Sequence, residues 1–578
     1  MPDDTALLLE RHFDTAFAAP EGVQKLRELI LTLAMQGKLV PQDPTDPPAS
    51  ELLKEIEAEK QRLVKEGKIK KAKPLPEIQP EEVPYELPDG WLWVRLGMCL
   101  LKITDGTHHS PPNSEVGDFL YISAKNIKDN GVLLENATFV SKRIHEEIYS
   151  RCDPEPGNIL YIKDGATTGI VTINNLEEPF SMLSSVALLK QPTQVDNYYL
   201  LFALRSPFFY SEMRLGMTGV AITRVTLTKL NYAIIPFPPL PEQRRIVAKI
   251  DELMARCDEL EKLRAQRDQQ RITVHRAAIA RLLDTTTQPA TADFGEAWQF
   301  ITHHFGDLYT VKANVAELRK AILQLAVMGK LVPQAPNDPP ARELLKEIEV
   351  EKQRLMKEGK IRIQKPLPEL TQEDTPYDVP DSWEWIRFEA IIDISSGVTK
   401  GRKLEGRKLV LLPYLRVANV QRSYLDLNVI KEIEIPTEEL ERYSLQTEDL
   451  LITEGGDWDK VGRTAIWNSE LPICIHQNHV FKGRKYLERQ NVYWLEKYLN
   501  SMPAREYFAG ASKQTTNLAS INKTQLRGCP VPLPPLSEQH RIVAKIDQLM
   551  ALCDQLEANI ETTTHQQTKL LHAVVAEV

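Results

Sequence analysis

The sequence predicts an α+β protein built twice: two mixed α/β domains separated by long antiparallel coiled-coil helices, with internal two-fold pseudosymmetry. Three observations carry this. The stretch PLPEQRRIVAKIDELMARCDEL at 239–260 returns as PLSEQHRIVAKIDQLMALCDQL at 535–556. A longer block at 22–97 returns nearly unchanged at 314–389. Between these blocks lie two stretches, 98–235 and 390–531, that differ in sequence but keep one skeleton of short strand-like runs bounded by Gly, Asn and Asp.

Each early block reads as two helices. Leu26, Leu29, Ile30 and Leu33 share one face, and Gly37 supplies a stop. A second, charge-rich helix is expected from about Ala49 to Glu66, with apolar positions Leu52, Leu53, Ile56 and Leu63. Pro74–Pro88 carries five prolines and reads as extended linker. Trp91 and Trp93, matched by Trp383 and Trp385, begin a strand at period two. In the variable stretches YISAKNI (121–127) parallels YLRVANV (414–420), GNILYIKDGATTG (157–169) parallels EDLLITEGGDWDKVG (448–462), and ITRVTLTKL (222–230) parallels LASINKTQL (518–526).

The long helices start near Pro241 and Ser537. Their apolar residues, Ile246, Ile250, Leu253, Cys257 and Leu260, and then Ile542, Ile546, Leu549, Cys553 and Leu556, alternate spacings of four and three. That is a narrow coiled-coil seam. The two seams are expected to pair antiparallel with each other, over 241–283 and 537–577, and to form the subunit interface. Residues 284–300 read as a polar linker. The domains are therefore 1–88 (helices and Pro-rich linker), 89–238 (first variable domain), 239–380 (central repeat region), 381–534 (second variable domain) and 535–578 (C-terminal helix).

At 578 residues and 26 % charged residues the chain has the composition of a globular protein of about four domains. No apolar run is long enough to span a membrane. The acidic N-terminus MPDDTALLLERHFD lacks the basic region of a signal peptide. Six dispersed cysteines without CxxC fit a reducing cytosol and argue against structural zinc. Cys257 and Cys553 read as small core hydrophobes. The net charge of −9 lacks the basic excess of many DNA-binding proteins, so phosphate contacts belong to local patches or to partners.

The sequence contains neither a Walker motif nor a GxGxxG after a strand, and nothing in it resembles a nucleophile elbow. DPPA at 46–49 and 338–341 lacks the aromatic of an amino-methyltransferase motif and reads as a Pro-rich turn with an N-capping role. His108-His109 and His303-His304 have no partners at metal-ligand spacing, so no metal site is expected. No catalytic residue is assigned, and the chain reads as a binder.

The candidate binding residues are polar clusters in loops and at strand ends. In the first variable domain they are Thr104, Asp105, Gly106, Thr107, His108, His109, Lys125, Asn126, Lys163, Thr167, Thr168, Thr223 and Arg224. In the second they are Thr399, Lys400, Arg402, Lys403, Arg416, Asn419, Gln421, Arg422, Trp458, Lys460, Gln477, Asn478, Lys513, Gln514, Thr515 and Asn517. Arg, Lys, Asn and Gln can bond base edges, and Lys, Ser and Thr serve phosphates.

PLPPLPEQRRIVAKIDELM, its copy PLPPLSEQHRIVAKIDQLM and the TxxxL runs before them resemble the specificity subunit of Type I restriction–modification enzymes. The resemblance covers almost the whole chain, and the GKLVPQ element is similar to the branch with extended N-terminal and central conserved regions. It implies that each variable stretch is a target recognition domain for one half of a split, asymmetric sequence in double-stranded DNA. It implies that the conserved helices set the spacer and dock two modification subunits. Those partners would bind S-adenosylmethionine and methylate adenine. Restriction subunits would translocate and cut DNA with ATP and Mg, in the cytoplasm of a bacterium or archaeon, and this chain itself would bind no cofactor. A stand-alone DNA methyltransferase or nuclease and a non-DNA helical scaffold remain the alternatives.

Overall fold

The protein is described from a computed structural model over residues 13–215, 224–283, 290–456, 460–515 and 518–576. The chain divides into two compact units, Met1–Gln266 with Thr563–Val578, and Arg267–Thr562. The border falls inside each long helix, because the two halves of each helix pack on different repeat blocks.

In the first unit, the helix Gly22–Met35 ends where Lys38 N donates to Leu33 O (2.9 Å) and Gly37 N to Ala34 O (3.2 Å). This closing turn needs a left-handed residue, and Gly37 sits at φ +70°. The helix Ala49–Lys65 closes the same way at Gly67. The Pro-rich segment that follows is pinned by Arg95, whose guanidinium donates to Pro76 O and Glu77 O and forks onto Glu82 at 2.7 Å. Strand Leu92–Arg95 pairs antiparallel with Ile234–Phe237, so the start and end of the variable stretch are stitched together.

Between those strands lies the recognition module. Its antiparallel four-stranded sheet runs in the order Lys102–Asp105, Val186–Lys190, Ile159–Ile162, Val171–Ile173. Period-two alternation separates two cores. Ile159, Tyr161, Ala187 and Leu189 pack with Leu200, Leu204 and Phe209 of the following helices. Leu160, Ile162, Val186 and Leu188 face Ile122, Ile127, Cys152 and Phe180 in a smaller layer. That layer holds Phe119–Ile122, antiparallel to Thr138–Val140 and parallel to Ser181–Met182.

The second unit repeats this construction. Its helices are Lys312–Val327 and Ala341–Lys357, its stitched pair Glu384–Arg387 with Pro530–Leu533. Its sheet runs Ile392–Ser396, Val480–Lys485, Asp449–Thr453, Thr464–Trp467. Leu409–Leu415 pairs with Lys431–Pro436 and, in parallel, with Ile475–His476.

The long helices are Leu240–Leu283 and Leu536–Ala576. Their seams do not use each other as the expected partner. Ile246, Ile250 and Cys257, with Leu253 and Leu260 beside them, share a core with Val23, Ile30, Leu31, Ala34, Tyr199 and Phe202 of their own unit. Ile542, Ile546 and Cys553, flanked by Leu549 and Leu556, do the same with Ile322, Leu325 and Trp494. The narrow stripe is a clamp onto the repeat helix and one module helix, two narrow partners that a/d spacing fits as well as a second coil. Beyond the seams, Ala278, Ile279 and Leu282 pack with Ala297, Ile301 and Leu308, and Leu571 packs with Phe17 and Leu29.

The shared signature explains itself as the polar part of that clamp. Glu242 accepts from the Trp91 indole (2.8 Å), and Glu538 from Trp383 (3.1 Å). Arg245 pairs with Asp46 (2.7 Å), and Arg541 with Asp338 (2.6 Å). Arg27 pairs with Asp258 and Arg319 with Asp554, each at 2.5 Å. Gln243 accepts from Asp196 N (3.0 Å) at the start of the module helix and donates to Pro238 O (2.9 Å). The aspartate of DPPA thus serves an arginine and does not cap the next helix; Pro48 occupies the cap position without a side-chain bond. A second correction concerns 284–300: Ala290–His303 is helical. Ala297 and Ile301, one turn apart, are buried on the end of the first long helix, and that packing overrides a polar composition.

Candidate nucleic-acid interface

One end of each module gathers the polar loops, and the two ends share a backbone framework. In the first module Leu183 N donates to Ile122 O, Ser184 N to Thr107 O, Lys163 N to Ser185 O and Val225 N to Lys163 O. In the second, Gln477 N donates to Leu415 O, Asn478 N to Val398 O, Glu454 N to His479 O and Ile521 N to Glu454 O. The bonds correspond one to one. Gly106 and Gly397 mark the same crossing: a Cβ there would come within 1.8 Å of Met182 O and 2.0 Å of His476 O. Glycine is required at both by the close backbone approach.

The side chains on this common frame differ. In the first module Asp105 is buried at the end of its strand and is surrounded by cations. Arg151 Nη2 donates to Asp105 Oδ1 at 2.5 Å, and Lys163 Nζ lies 3.6 Å from Oδ2. His108 Nε2 is 3.5 Å from Oδ1 and accepts from Arg151 Nη2 at 3.0 Å. Lys163 also reaches Asp164 at 3.0 Å, and Arg224, paired with Asp164 as an isolated bridge, brings its Nε to 3.9 Å. So DGTHHS, Lys163-Asp164 and Arg224, distant in sequence, form one network.

In the second module Ser396 ends the matching strand, and Glu454 stands where Lys163 does. Glu454 Oε2 meets His479 Nδ1 at 2.6 Å. Gln421 accepts from Arg463 at 2.6 Å and donates to Ala418 O. The hairpin Lys513–Thr515 with Leu518–Ser520 joins this edge by pairing with Gly455–Gly456. Beneath the edge His476 is fully enclosed. Burial, with Lys482 and Arg484 nearby, pushes its pKa down to about 3, so the neutral ring donates Nδ1–H to Val480 O at 2.7 Å. Lys482, also lowered by burial, to about 8, donates to Arg442 O and Ser444 O.

Several expected contact residues are spent inside the module. Asn126 accepts from Ser123 N and donates to Leu133 O; Asn419 accepts from Arg416 N and donates to Asp426 O. Both amides are buried loop staples. Thr104, Asp105, Gly106 and Thr168 are buried as well, because strand alternation or a tight turn turns them inward. Lys163 is nearly so. Arg402 is held by Glu439 and lies over the Tyr443 ring, and Arg416 donates to Val429 O, so both anchor loops. His108, His109, Lys125, Thr167, Arg224, Thr399, Lys400 and Lys403 are exposed, and Thr107, Gln421, Arg422, Lys460, Gln477 and Asn478 partly so. Thr223, Trp458 and Asn517 lie outside the described residues, and Lys513, Gln514 and Thr515 are placed by backbone alone. Sequence reasoning missed Arg151 and Glu454. No local motif marks Arg151, whereas aligning YIKDG on ITEGG would have exposed the Lys-to-Glu exchange.

One frame carrying two chemistries, with each copy clamped to its own repeat block, defines a tandem recognition protein with two different ligand ends. A family model for the Type I restriction modification DNA specificity domain matches residues 98–267 and 380–564. Over 96 % of its length the chain is 36 % identical to the Type I restriction enzyme EcoAI specificity subunit of Escherichia coli, covering 93 % of that protein. It is 33 % identical to the EcoEI specificity subunit of Escherichia coli, again over 96 % of this chain and 93 % of that one. A crystal structure of the HsdS subunit from Thermoanaerobacter tengcongensis aligns with 85 % of this chain and 98 % of that one, at 19 % identity and a TM-score of 0.41. The chain belongs to the Type I restriction–modification specificity subunits. It is the non-catalytic, DNA-recognising subunit of such a system and works with DNA and with methyltransferase and restriction partners.

Proposed function

We propose that the module within 89–238 reads one half of a bipartite, asymmetric DNA target and the module within 381–534 reads the other. The long helices set the spacer and dock two modification subunits. S-adenosylmethionine, ATP and Mg belong to the partners, and the complex acts in the cytoplasm. The observation that carries the reading is the shared frame with exchanged side chains, Asp105 against Ser396 and Lys163 against Glu454. Conserved geometry fixes how the DNA is presented, while changed donors and acceptors alter which bases are read. The test replaces residues 100–235 with the equivalent module of a relative and maps methylated sites in host DNA. One half-site is expected to change while the other stays. A hybrid that alters both half-sites would refute independent modules.

A further inference from the structure

Arg151 was not among the residues expected to bind, yet it occupies the best-prepared position on the first module. It follows the helix Lys142–Tyr149, and its side chain is half exposed, at 50 %. Nη2 carries both of its bonds, to Asp105 Oδ1 and to His108 Nε2. Among the described residues, Nη1 and Nε bond no protein group, and one flank of the guanidinium remains available to a ligand. The carboxylate that holds it is 3 % exposed and fixed by its place in the sheet, where Asp105 pairs with Ala187. An arginine held from behind by a buried carboxylate loses little side-chain freedom on binding, which is the condition for a directional rather than a diffuse contact. A planar fork of N–H donors matches O6 and N7 of guanine in the major groove.

We propose that Arg151, positioned by Asp105, reads a guanine in the half-site of the first module. The proposal rests on the bipartite reading given above. The second module has Ser396 in place of Asp105, so the device belongs to one half-site only.

The test uses the assembled complex with its modification subunits and DNA randomised in both half-sites. The wild type, R151A, R151K and D105N are each carried through selection. Wild type returning no bipartite target would overturn the function proposed above, independently of Arg151. Given a bipartite wild-type target, R151A is expected to lose about 5- to 150-fold of discrimination for guanine at one position of the first half-site, with the second half-site unchanged. R151K keeps the charge without the fork and is expected to lose most of that preference. D105N, which leaves Arg151 in place but loosens it, is expected to relax the same position. An unchanged preference in R151A, or a full preference in R151K, overturns the proposal. So does a uniform loss of affinity across sequences in R151A, which is the behaviour of a phosphate contact.

Discussion

Replacing Ile250 with alanine distinguishes a seam that clamps its own repeat block from one that pairs with the other long helix. Ile250 and Ile546 are both fully buried. Removing three carbons from such a site costs about 2–5 kcal/mol through lost transfer energy and the cavity left behind. Leu263, on the same helix but 54 % exposed, sets the control, and its truncation should stay within about 0.5 kcal/mol. The decisive quantity is coupling. Ile250 shares a core with Ile30 of the repeat helix, so Ile250→Ala and Ile30→Ala should be non-additive by about 0.5–3 kcal/mol. Ile250 and Ile546 belong to separate cores, so that pair should add to within about 0.5 kcal/mol. Hydrogen exchange along a urea series reads the two units separately. Ile250→Ala should lower protection in peptides from 22–35 and 240–266 and spare 314–327. Strong coupling between Ile250 and Ile546, together with additivity between Ile250 and Ile30, would show that the clamp assignment is wrong.

The enclosed His476 makes the second module sensitive to acid. Its folded pKa, about 3, lies below the unfolded value of about 6.5, so its contribution is complete above pH 6.5 and is lost as pH falls toward 3. His476→Met copies Met182 from the matching place in the first module. It should flatten the fall in protection between pH 6.5 and 4 in peptides around 449–485, at a baseline cost of about 1 kcal/mol for the unpaired Val480 carbonyl, and an undiminished acid slope would point to another group. For the spacer, seven residues inserted after Gln266 and after Thr562 keep the seam register and lengthen each helix by about 10 Å. Selection from random-spacer DNA should then prefer a spacer longer by about three base pairs, and an unchanged spacer in an active variant would exclude the helices as a ruler.

The duplicated chain made the architecture readable. Repeated blocks fixed the helices, Gly37 and Gly67 marked their ends, and the parallel runs YISAKNI and YLRVANV fell on equivalent strands. What sequence could not give was partner choice. An a/d stripe specifies a narrow apolar contact, and Ile246 meets that need on a repeat helix as well as it would on a second coil. The binding edge was legible as a region and poorly as residues. Asn126 and Arg224 look alike as polar loop residues, but one is consumed by backbone groups and the other projects. Burial decides between them, and burial depends on crossings such as Gly106 over Met182 that span many residues of sequence.

The acidic balance of the chain follows from the same arrangement. Asp105 and Asp164 neutralise Lys163 and face Arg151 and Arg224, so the first module holds its cations in place instead of accumulating them. Glu454 does the same for His479 in the second. A binding edge of this kind gains less from counterion release than a basic groove does, because each cation already has a carboxylate partner. Its strength lies in orientation, and orientation discriminates between base edges better than it attracts phosphates. A net charge of −9 is therefore compatible with a subunit that supplies sequence choice while much of the sequence-independent affinity comes from its partners. On that division of labour, selection acts on the few side chains above the frame, and the frame itself, from Gly106 and Gly397 to the Glu242 and Glu538 clamps, is kept in both halves.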